Sequence, residues 1–202
     1  MPRLKIPVID PDHAVRAALA MIDEHGLAKF SLEGLARRLG VRAPSLYHHF
    51  RDRSAVLESV ARTILADIPI PPSGHPSGWQ ERLVSTCVEV RRAILAHPRA
   101  SPLLVEFLPR RVLLEAWNAH ARMLRNAGVP DDLHTLIFEG LEDMTLGAAL
   151  FNTSSPSGFP PEIDANRFPE LSRSVAGGAL GREELFARAC QVFLDGITLR
   201  ME

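Results

Sequence analysis

Residues 31–50 read SLEGLARRLGVRAPSLYHHF, and this stretch predicts two short helices joined by a tight turn. Ser31 is a suitable N-cap, because its hydroxyl can accept a hydrogen bond from a backbone N–H that the first helical turn leaves unpaired. Gly40 suits the left-handed position that ends a helix, and Pro44 suits the first turn of the next one. Before the turn, apolar residues recur at helical spacing at Leu32, Leu35, Ala36 and Leu39. Two helices joined so closely cross steeply, as in a helix-turn-helix whose second helix can enter a DNA major groove.

Two longer helices are predicted on either side of this pair. Asp10 and Pro11 indicate the start of the first helix, and Gly26 indicates its end. Asp52 is the predicted N-cap of the fourth helix, which ends before a segment rich in proline, serine and glycine at 69–76. Their apolar residues at helical spacing are Ala14, Val15, Ala18, Leu19 and Ile22, and then Val56, Leu57, Val60, Ala61, Ile64, Leu65 and Ile68. We therefore expect one domain at residues 1–68 and another at residues 77–202.

The second domain is predicted to be a larger helical bundle. Apolar residues recur at helical spacing in further segments near 83–95, 102–108, 113–124, 133–151, 168–175 and 185–197. No stretch alternates apolar and polar residues for long enough to indicate a sheet, and no internal repeat is present. We therefore predict an all-α protein of about nine or ten helices, with a helix-turn-helix domain before the larger bundle.

The composition excludes several classes of protein. An apolar share of 46% over 202 residues is ample for a core and argues against disorder. No apolar run is long enough to span a bilayer, and the N-terminus lacks a signal-peptide pattern, so we expect a cytoplasmic protein. Cys87 and Cys190 lie far apart, each on a predicted apolar helix face and without a partner at metal-ligand spacing. We expect both to be buried thiols in a reducing compartment.

Charge is distributed unevenly along the chain. Residues 1–66 carry ten Lys or Arg against seven Asp or Glu, a net charge of +3. The remaining residues carry thirteen against seventeen, a net charge of −4. A basic N-terminal third beside an acidic remainder is typical of a nucleic-acid-binding domain attached to a regulatory domain.

The N-terminal domain resembles the DNA-binding domain of the tetracycline-repressor (TetR) family. The matching segments are LARRLGV at 35–41, LYHHF at 46–50, and RDR at 51–53 before an apolar helix. The second domain is similar to the C-terminal domain of the tetracycline-repressor type, through Trp79, RAILAH at 92–97, LRNAG at 124–128 and TLG at 145–147. The resemblance implies a homodimeric repressor that binds a pseudo-palindromic double-stranded DNA operator and is released by a small-molecule effector, with no cofactor and no membrane partner.

The resemblance also implies which residues contact DNA. Ser31 would meet a phosphate at the start of the second helix, where backbone N–H groups also face it. The base-reading start of the recognition helix corresponds to Ala43, Pro44 and Ser45, and the phosphate contacts that fix the register correspond to Tyr47, His49 and Arg53. Arg42 and His48 are the remaining residues that the resemblance implies to contact DNA. Glu33 stands where the tetracycline repressor has a base-reading arginine, and Arg42 where most relatives have Ser or Thr. This implies an operator other than the tetracycline operator.

An effector cavity among the helices of the second domain is a further implication of the resemblance. The candidate ligand-binding residues are Leu103, Leu104, Phe107, Trp117, Asn118, His120, Leu141, Met144 and Phe151. Asp143 and Phe151 stand where the tetracycline repressor has a histidine and a glutamate that help to hold the magnesium of the drug. Because these donors are missing, we expect no metal ion. We expect instead a mostly apolar effector that His120 and Asn118 orient.

Several structural interpretations stay open beside these functional ones. A lone histidine on an apolar face is commonly a satisfied core residue, so His120 fits a core position as well as a ligand contact. The apolar candidates likewise fit an ordinary core. Gly140 and Gly147 indicate either close helix packing at a dimer interface or simple tolerance of glycine. His48 and His49 are neighbours that point about 100° apart on a helix, so they cannot chelate one ion together.

We predict no enzymatic activity. The sequence contains no GxSxG, HExxH, P-loop or Rossmann fingerprint. Glu142 and Asp143 are adjacent on a predicted helix and diverge, so they make a poor acid–base pair. The alternative function from another class is a helical small-molecule-binding protein without DNA function.

Overall fold

The computed structural model describes residues 9–66, 68, 78–107, 110–154, 163–177 and 180–201, and it is all helical. The helices in these ranges are α1 (Pro11–His25), α2 (Leu32–Leu39), α3 (Ala43–Tyr47), α4 (Arg53–Ala66), α5 (Trp79–Ala96), α6 (Pro102–Glu106), α7 (Arg110–Asn126), α8 (Asp131–Ser154), α9 (Pro169–Ala176) and α10 (Arg182–Thr198). A short 3₁₀ turn, Leu27–Lys29, lies between α1 and α2. The all-α prediction is confirmed.

Local sequence signals set the helix ends where they were predicted in the N-terminal part. The Asp10 carboxylate accepts a hydrogen bond from the Asp12 N–H at the start of α1. The Asp52 carboxylate accepts one from the Ala55 N–H, at 2.9 Å, at the start of α4. These contacts satisfy backbone donors that a helix start leaves unpaired. No helix in the described ranges is long and apolar enough to cross a membrane.

The chain divides into two compact units. The first consists of Met1–Asp67 with Ala96–Leu113, and the second of Ile68–Leu95 with Leu114–Glu202. The first unit therefore takes in α6, which packs against α4. The sequence instead led us to expect a DNA-binding domain at 1–68 and a ligand-binding domain at 77–202. That division would place α6 in the ligand-binding domain. That functional division stays a prediction.

The core of the first unit forms where α1 packs against α2 and α4. Its fully buried larger side chains are Ile22, Leu35, Leu46, Val56, Leu57, Val60, Leu103 and Leu104. Burying each such side chain stabilises the fold by about 1.5–3 kcal/mol. These contacts hold the two short helices α2 and α3, which are too short to be stable alone.

The core of the second unit joins α5, α7, α8 and α10. Its buried members are Leu83, Cys87, Leu124, Val129, Ile137, Leu141, Phe186, Cys190, Leu194 and Ile197. An ion pair between α5 and α10 lies at its edge, where the Arg92 Nε donates to Glu183 Oε2 at 2.8 Å. The guanidinium of the buried Arg91 lies 5.5 Å from the centre of the Phe186 ring. These contacts position α10 along α5.

Candidate DNA-binding surface and effector site

The turn between α2 and α3 has the geometry that the sequence predicted. The Ser31 hydroxyl accepts a hydrogen bond from the Gly34 N–H at 3.1 Å. Gly40 adopts a left-handed conformation, with φ 67° and ψ 26°. The Val41 N–H then donates to the Ala36 carbonyl at 3.0 Å, which closes the helix end. Ser31 caps α2 with its side chain, and its hydroxyl stays half-buried at the helix start where a phosphate would approach.

The recognition helix α3 is anchored on one side and open on the other. Leu46 is fully buried, whereas Tyr47 is 51% exposed and both His48 and His49 are exposed. The side chains of Tyr47, His48 and His49 make no hydrogen bond or ion pair to the residues that the structure describes. At the start of the helix, Pro44 and Arg42 are exposed, while Ala43 and Ser45 are half-buried. Seven of the predicted DNA-contacting residues, Arg42 to Ser45 and Tyr47 to His49, therefore lie on or directly beside one short helix whose outer side is open to solvent.

Arg53 is exposed but already bonded within the first unit. Its Nε donates to the Phe30 carbonyl at 3.3 Å, and its Nη2 donates to the Leu27 carbonyl at 3.2 Å. Its guanidinium carbon also lies 5.6 Å from the centre of the Phe30 ring. These contacts tie the start of α4 to the turn that precedes α2. The sequence indicated a phosphate contact here and did not indicate this second role, because the two segments are more than twenty residues apart.

Neighbouring arginines of the first unit differ in whether a carboxylate compensates their positive charge. Arg38 binds Glu24 through two hydrogen bonds of 2.6 Å. This contact lowers the pKa of the Glu24 carboxyl, since the Arg38 hydrogen bond favours its charged form. Arg37 and Arg42 are exposed and form no ion pair with the described residues. Arg37 and Arg42 therefore keep their charge available for phosphates, whereas that of Arg38 is compensated.

The segment after α5 holds the C-terminal end of α1, a contact that the sequence did not predict. Arg99 Nη1 donates to the backbone carbonyls of Asp23 and Glu24, at 3.1 and 2.6 Å. His97 Nδ1 lies 2.7 Å from Asp23 Oδ2. Carbonyls at a helix end lack partners and carry partial negative charge, which a guanidinium satisfies. No local signal could reveal this clamp, because its two sides are more than seventy residues apart.

The nine candidate effector residues fall into both units. Leu103 and Leu104 of α6 are fully buried in the first unit, and Phe107 is half-buried there. The others belong to the second unit, namely Trp117, Asn118, His120, Leu141, Met144 and Phe151. Leu141 lies in the core, and Met144 packs against it. Asn118 is exposed and Phe151 is 76% exposed, so the structure gives these two side chains no buried site within the chain.

His120 is the candidate whose environment indicates an unmet polar contact. It is 7% exposed, and its Nε2 has no hydrogen-bond partner. Burial lowers the pKa of this imidazole, and the positive charge of Arg82 lowers it further. A buried polar atom without a partner costs about 1–3 kcal/mol, so a ligand group that bonds to it gains that contact. Trp117, three residues earlier on the same face of α7, is half-buried.

The outer face of α10 is apolar and open. Leu185, Val192 and Leu199 are exposed, Val192 by 64%, and they recur every seven residues. Ala189 and Gly196 lie between them and are also exposed. Phe193 faces the other way: a Cβ atom built on Gly140 of α8 would lie only 2.6 Å from its Cζ. Gly140 therefore makes room for Phe193 within the chain, while Gly147 has no atom within 4 Å of its Cβ position.

The described residues contain no group of three or more His, Cys, Asp or Glu side chains that could hold a metal ion. His48 and His49 are both exposed at the end of α3. The buried His134 has a structural partner, since its Nε2 lies 3.1 Å from the Val129 carbonyl. Of the two buried histidines in the described ranges, His120 is therefore the one with an unpartnered ring nitrogen.

Comparison with known proteins agrees with the geometry of the first unit. Residues 14–60 match the family described as bacterial regulatory proteins, tetR family. The tetracycline repressor protein class A from transposon 1721 of Escherichia coli is 28% identical over 95% of this chain and 92% of its own length. A transcriptional regulator of Saccharopolyspora erythraea is 32% identical over 48% of this chain and 41% of its own length.

Solved structures share the fold. Apo ActR from Streptomyces coelicolor has a TM-score of 0.77 and 24% identity, covering 94% of this chain and 95% of its own. ActR has also been solved in complex with (S)-DNPA, with the same TM-score and identity over 95% of this chain and 98% of its own. TetR from Acinetobacter baumannii AYE has a TM-score of 0.76 and 21% identity, covering 94% of this chain and 97% of its own. With its helix-turn-helix segment matched to the tetR family and nearly its whole length aligned to a tetracycline repressor, this chain is similar to the TetR-family transcriptional regulators.

Proposed function

We propose that the chain is a homodimeric transcriptional repressor that binds a pseudo-palindromic operator and is released from it by a small, mostly apolar effector. The observation that carries this proposal is the open face of α3. Leu46 fixes the helix to the first unit, while Tyr47, His48 and His49 face solvent with no bond to the described residues. A phenol and two imidazoles on a recognition helix suit contacts to phosphates and base edges.

Dimer formation is supported by the outer face of α10. An apolar seam that repeats every seven residues is the pattern by which two helices pack side by side. A two-fold contact between copies would bury Leu185, Val192 and Leu199 twice, once from each chain. Two first units would then face two half-sites about one helical turn of DNA apart.

An effector site in the second unit is supported by His120. Its buried Nε2 has no partner, and the core residue Leu124 follows four residues later on the same helix. A single polar group beside apolar side chains is the common composition of a small-molecule site. The fold also accepts ligands in a relative, since ActR has been solved with (S)-DNPA and with actinorhodin. We propose that His120 orients the effector, that Trp117 lines its site, and that the protein acts in the cytoplasm.

The alternative is a helical small-molecule-binding protein without DNA function, and one experiment separates the two. Purified protein would select fragments from a random DNA pool, and the bound fragments would be sequenced. We expect an inverted repeat with half-site centres about 10 bp apart, bound with a strong salt dependence. The variant Tyr47→Ala/His49→Ala, which leaves the buried Leu46 intact, serves as the control and should select nothing. Failure of the wild type to enrich any sequence would favour the alternative.

A further inference from the structure

Arg91 and Arg92 are neighbours on α5 whose charges are compensated to different extents. Arg92 is exposed, and its Nε and Nη2 donate to the two carboxylate oxygens of Glu183 at 2.8 and 2.5 Å. Its Nη1 donates to Glu89 at 2.7 Å. Arg91 is only 4% exposed, yet its Nε has no hydrogen-bond partner, and its Nη1 lies 4.0 Å from Glu183 Oε2. The exposed arginine is therefore fully paired, whereas the buried one is not.

This difference is the reverse of what burial favours. A buried charge is stable when a well-placed partner and further hydrogen bonds satisfy it. The carboxylate within 4.0 Å of Arg91 is that of Glu183, and both of its oxygens already accept hydrogen bonds from Arg92. Burial also lowers the pKa of Arg91, because its charged form is poorly solvated there. The Arg91 guanidinium therefore keeps an unmet capacity to bind an anion.

The surroundings of Arg91 combine positive charge with apolar side chains. Its guanidinium lies against the first turn of α10, close to Glu183 and 5.5 Å from the centre of the Phe186 ring. Gly181 has no side chain, so the first N–H groups of α10, which carry partial positive charge, lack a side-chain cap. Phe186 belongs to the buried core of the second unit, as does Cys87, one helical turn before Arg91 on α5. An anion at Arg91 would therefore meet positive charge and apolar side chains together.

We propose that Arg91 binds the carboxylate of an organic acid with an apolar body, and that this acid is the effector, a step that rests on the proposed function. The planar fork of a guanidinium presents an Nε–H and an Nη–H side by side, which matches the two oxygens of a carboxylate. One negative charge is enough to compensate Arg91, since Glu183 is engaged by Arg92. The core at Phe186 suits an apolar body, so an organic acid fits the surroundings better than an inorganic anion.

The test compares carboxylic acids with their primary amides, which have nearly the same shape and no charge. Straight-chain acids from butyrate to dodecanoate, together with benzoate and naphthoate, would be titrated into the full chain by calorimetry, with thermal unfolding as a second measurement. We expect at least one acid to bind about tenfold to a hundredfold more tightly than its amide, which is the effect of hydrogen bonds to a charged group. That acid should raise the melting temperature and release the selected operator.

Three variants have different expected effects on acid binding. Arg91→Met should bind the acid no better than the amide, and its melting temperature should equal or exceed that of the wild type, because an apolar residue commonly replaces a poorly paired buried ion without loss of stability. Glu183→Gln removes the competing carboxylate and should raise the affinity for the acid several-fold. Arg188→Met changes an exposed arginine of α10 and serves as the matched control, with acid binding unchanged. The Glu183→Gln result keeps the test decisive if Arg91→Met does not fold.

Three results would overturn the site, namely no binding of any acid, equal binding of acids and amides, or an Arg91→Met variant that keeps the preference for the acid. Equal stabilisation by sulfate or phosphate would overturn the assignment to organic acids. An acid that binds through Arg91 and leaves operator affinity unchanged would overturn its role as the effector. If the protein binds no DNA at all, the proposed function fails instead, while calorimetry still decides whether Arg91 binds a carboxylate.

Discussion

Arg53 combines a structural contact with a charge that remains open to solvent. Two of its nitrogens hold the Phe30 and Leu27 carbonyls, and its guanidinium lies over the Phe30 ring. The described contacts leave Nη1 unused, so the same guanidinium can reach a phosphate without releasing the turn before α2. The fixed, planar fork of arginine permits this double use, whereas the single ammonium of lysine does not. One residue can therefore set both the position of α4 and part of the affinity for DNA.

Replacing Arg53 separates these two roles. Arg53→Ala should lower the melting temperature by about 2–4 °C, the effect of losing about 1 kcal/mol in a chain of this size. It should also weaken binding to all DNA sequences and reduce the salt slope by about one per lost phosphate contact in each protomer. Arg53→Lys is the control, since it should lose the stabilisation but keep most of the salt slope. A salt slope that Arg53→Ala leaves unchanged would remove the phosphate contact and leave only the structural role.

His120 makes the stability of the protein depend on pH. Burial, and then the charge of Arg82, lower the pKa of His120 below its unfolded value. The unfolded chain therefore binds more protons at this residue once the pH falls below about 6.5, and the free energy of unfolding decreases as the pH falls further. His120→Gln removes this dependence. Between about pH 7.5 and pH 5.5, the wild type should lose melting temperature relative to His120→Gln. A difference that stays constant with pH would contradict the neutral, desolvated state of His120.

The two faces of α10 serve different contacts. On one face, Phe193 is half-buried and occupies the space that the missing side chain of Gly140 leaves on α8. On the other, Val192 is exposed between Leu185 and Leu199. Val192 and Phe193 are neighbours in the sequence but face different sides of the helix. Only Val192 lies on the open seam, so a charge at each position should have different consequences.

Val192→Glu and Phe193→Glu form a matched pair that tests the dimer. Val192→Glu should fold and sediment as a monomer, because the charge lies on a face that is exposed in the single chain. Its operator affinity should fall, since two half-sites can no longer be held together. Phe193→Glu should instead unfold or precipitate, because it buries a carboxylate and empties the space above Gly140. A wild type that sediments as a monomer at micromolar concentration would remove the dimer from the proposed function.

Helix ends could be predicted from the sequence, and contacts between distant segments could not. Ser31 and Gly40 act through backbone groups within a few residues, so their roles at the ends of α2 are visible in the sequence. The clamp from Arg99 to the end of α1, and the packing of α6 in the first unit, depend on residues far apart in the chain. Most of the candidate DNA-contacting residues could be named together because they occupy one short element, and their role stays a prediction. The candidate effector residues also stay a prediction, because apolar residues at helical spacing fit a core and a cavity equally well.

At the scale of the whole molecule, the proposed function requires that two ligands bind one dimer. In the proposed function the operator needs a particular separation of the two DNA-binding units, and the effector favours another. By thermodynamic linkage, the factor by which the effector lowers DNA affinity equals the factor by which DNA lowers effector affinity. A ligand that binds both conformations equally would not release the operator, however tight its binding. The effector must therefore contact a part of the protein that differs between the two states.

Trp117 provides a direct test of where the effector binds. It is half-buried on α7, on the same face as His120, and a Trp79→Phe background leaves it the one tryptophan of the chain. Candidate compounds of two contrasting classes, apolar molecules and metal-bound polar ones, would be titrated with and without the operator. A true effector should change the fluorescence of Trp117 and release the operator. The operator should lower the affinity of the protein for the effector by the same factor as the effector lowers its affinity for the operator. Trp117→Ala should change which compounds bind and leave operator affinity unchanged. If metal-bound polar compounds release the operator and apolar ones never do, the effector is not the mostly apolar molecule that we propose.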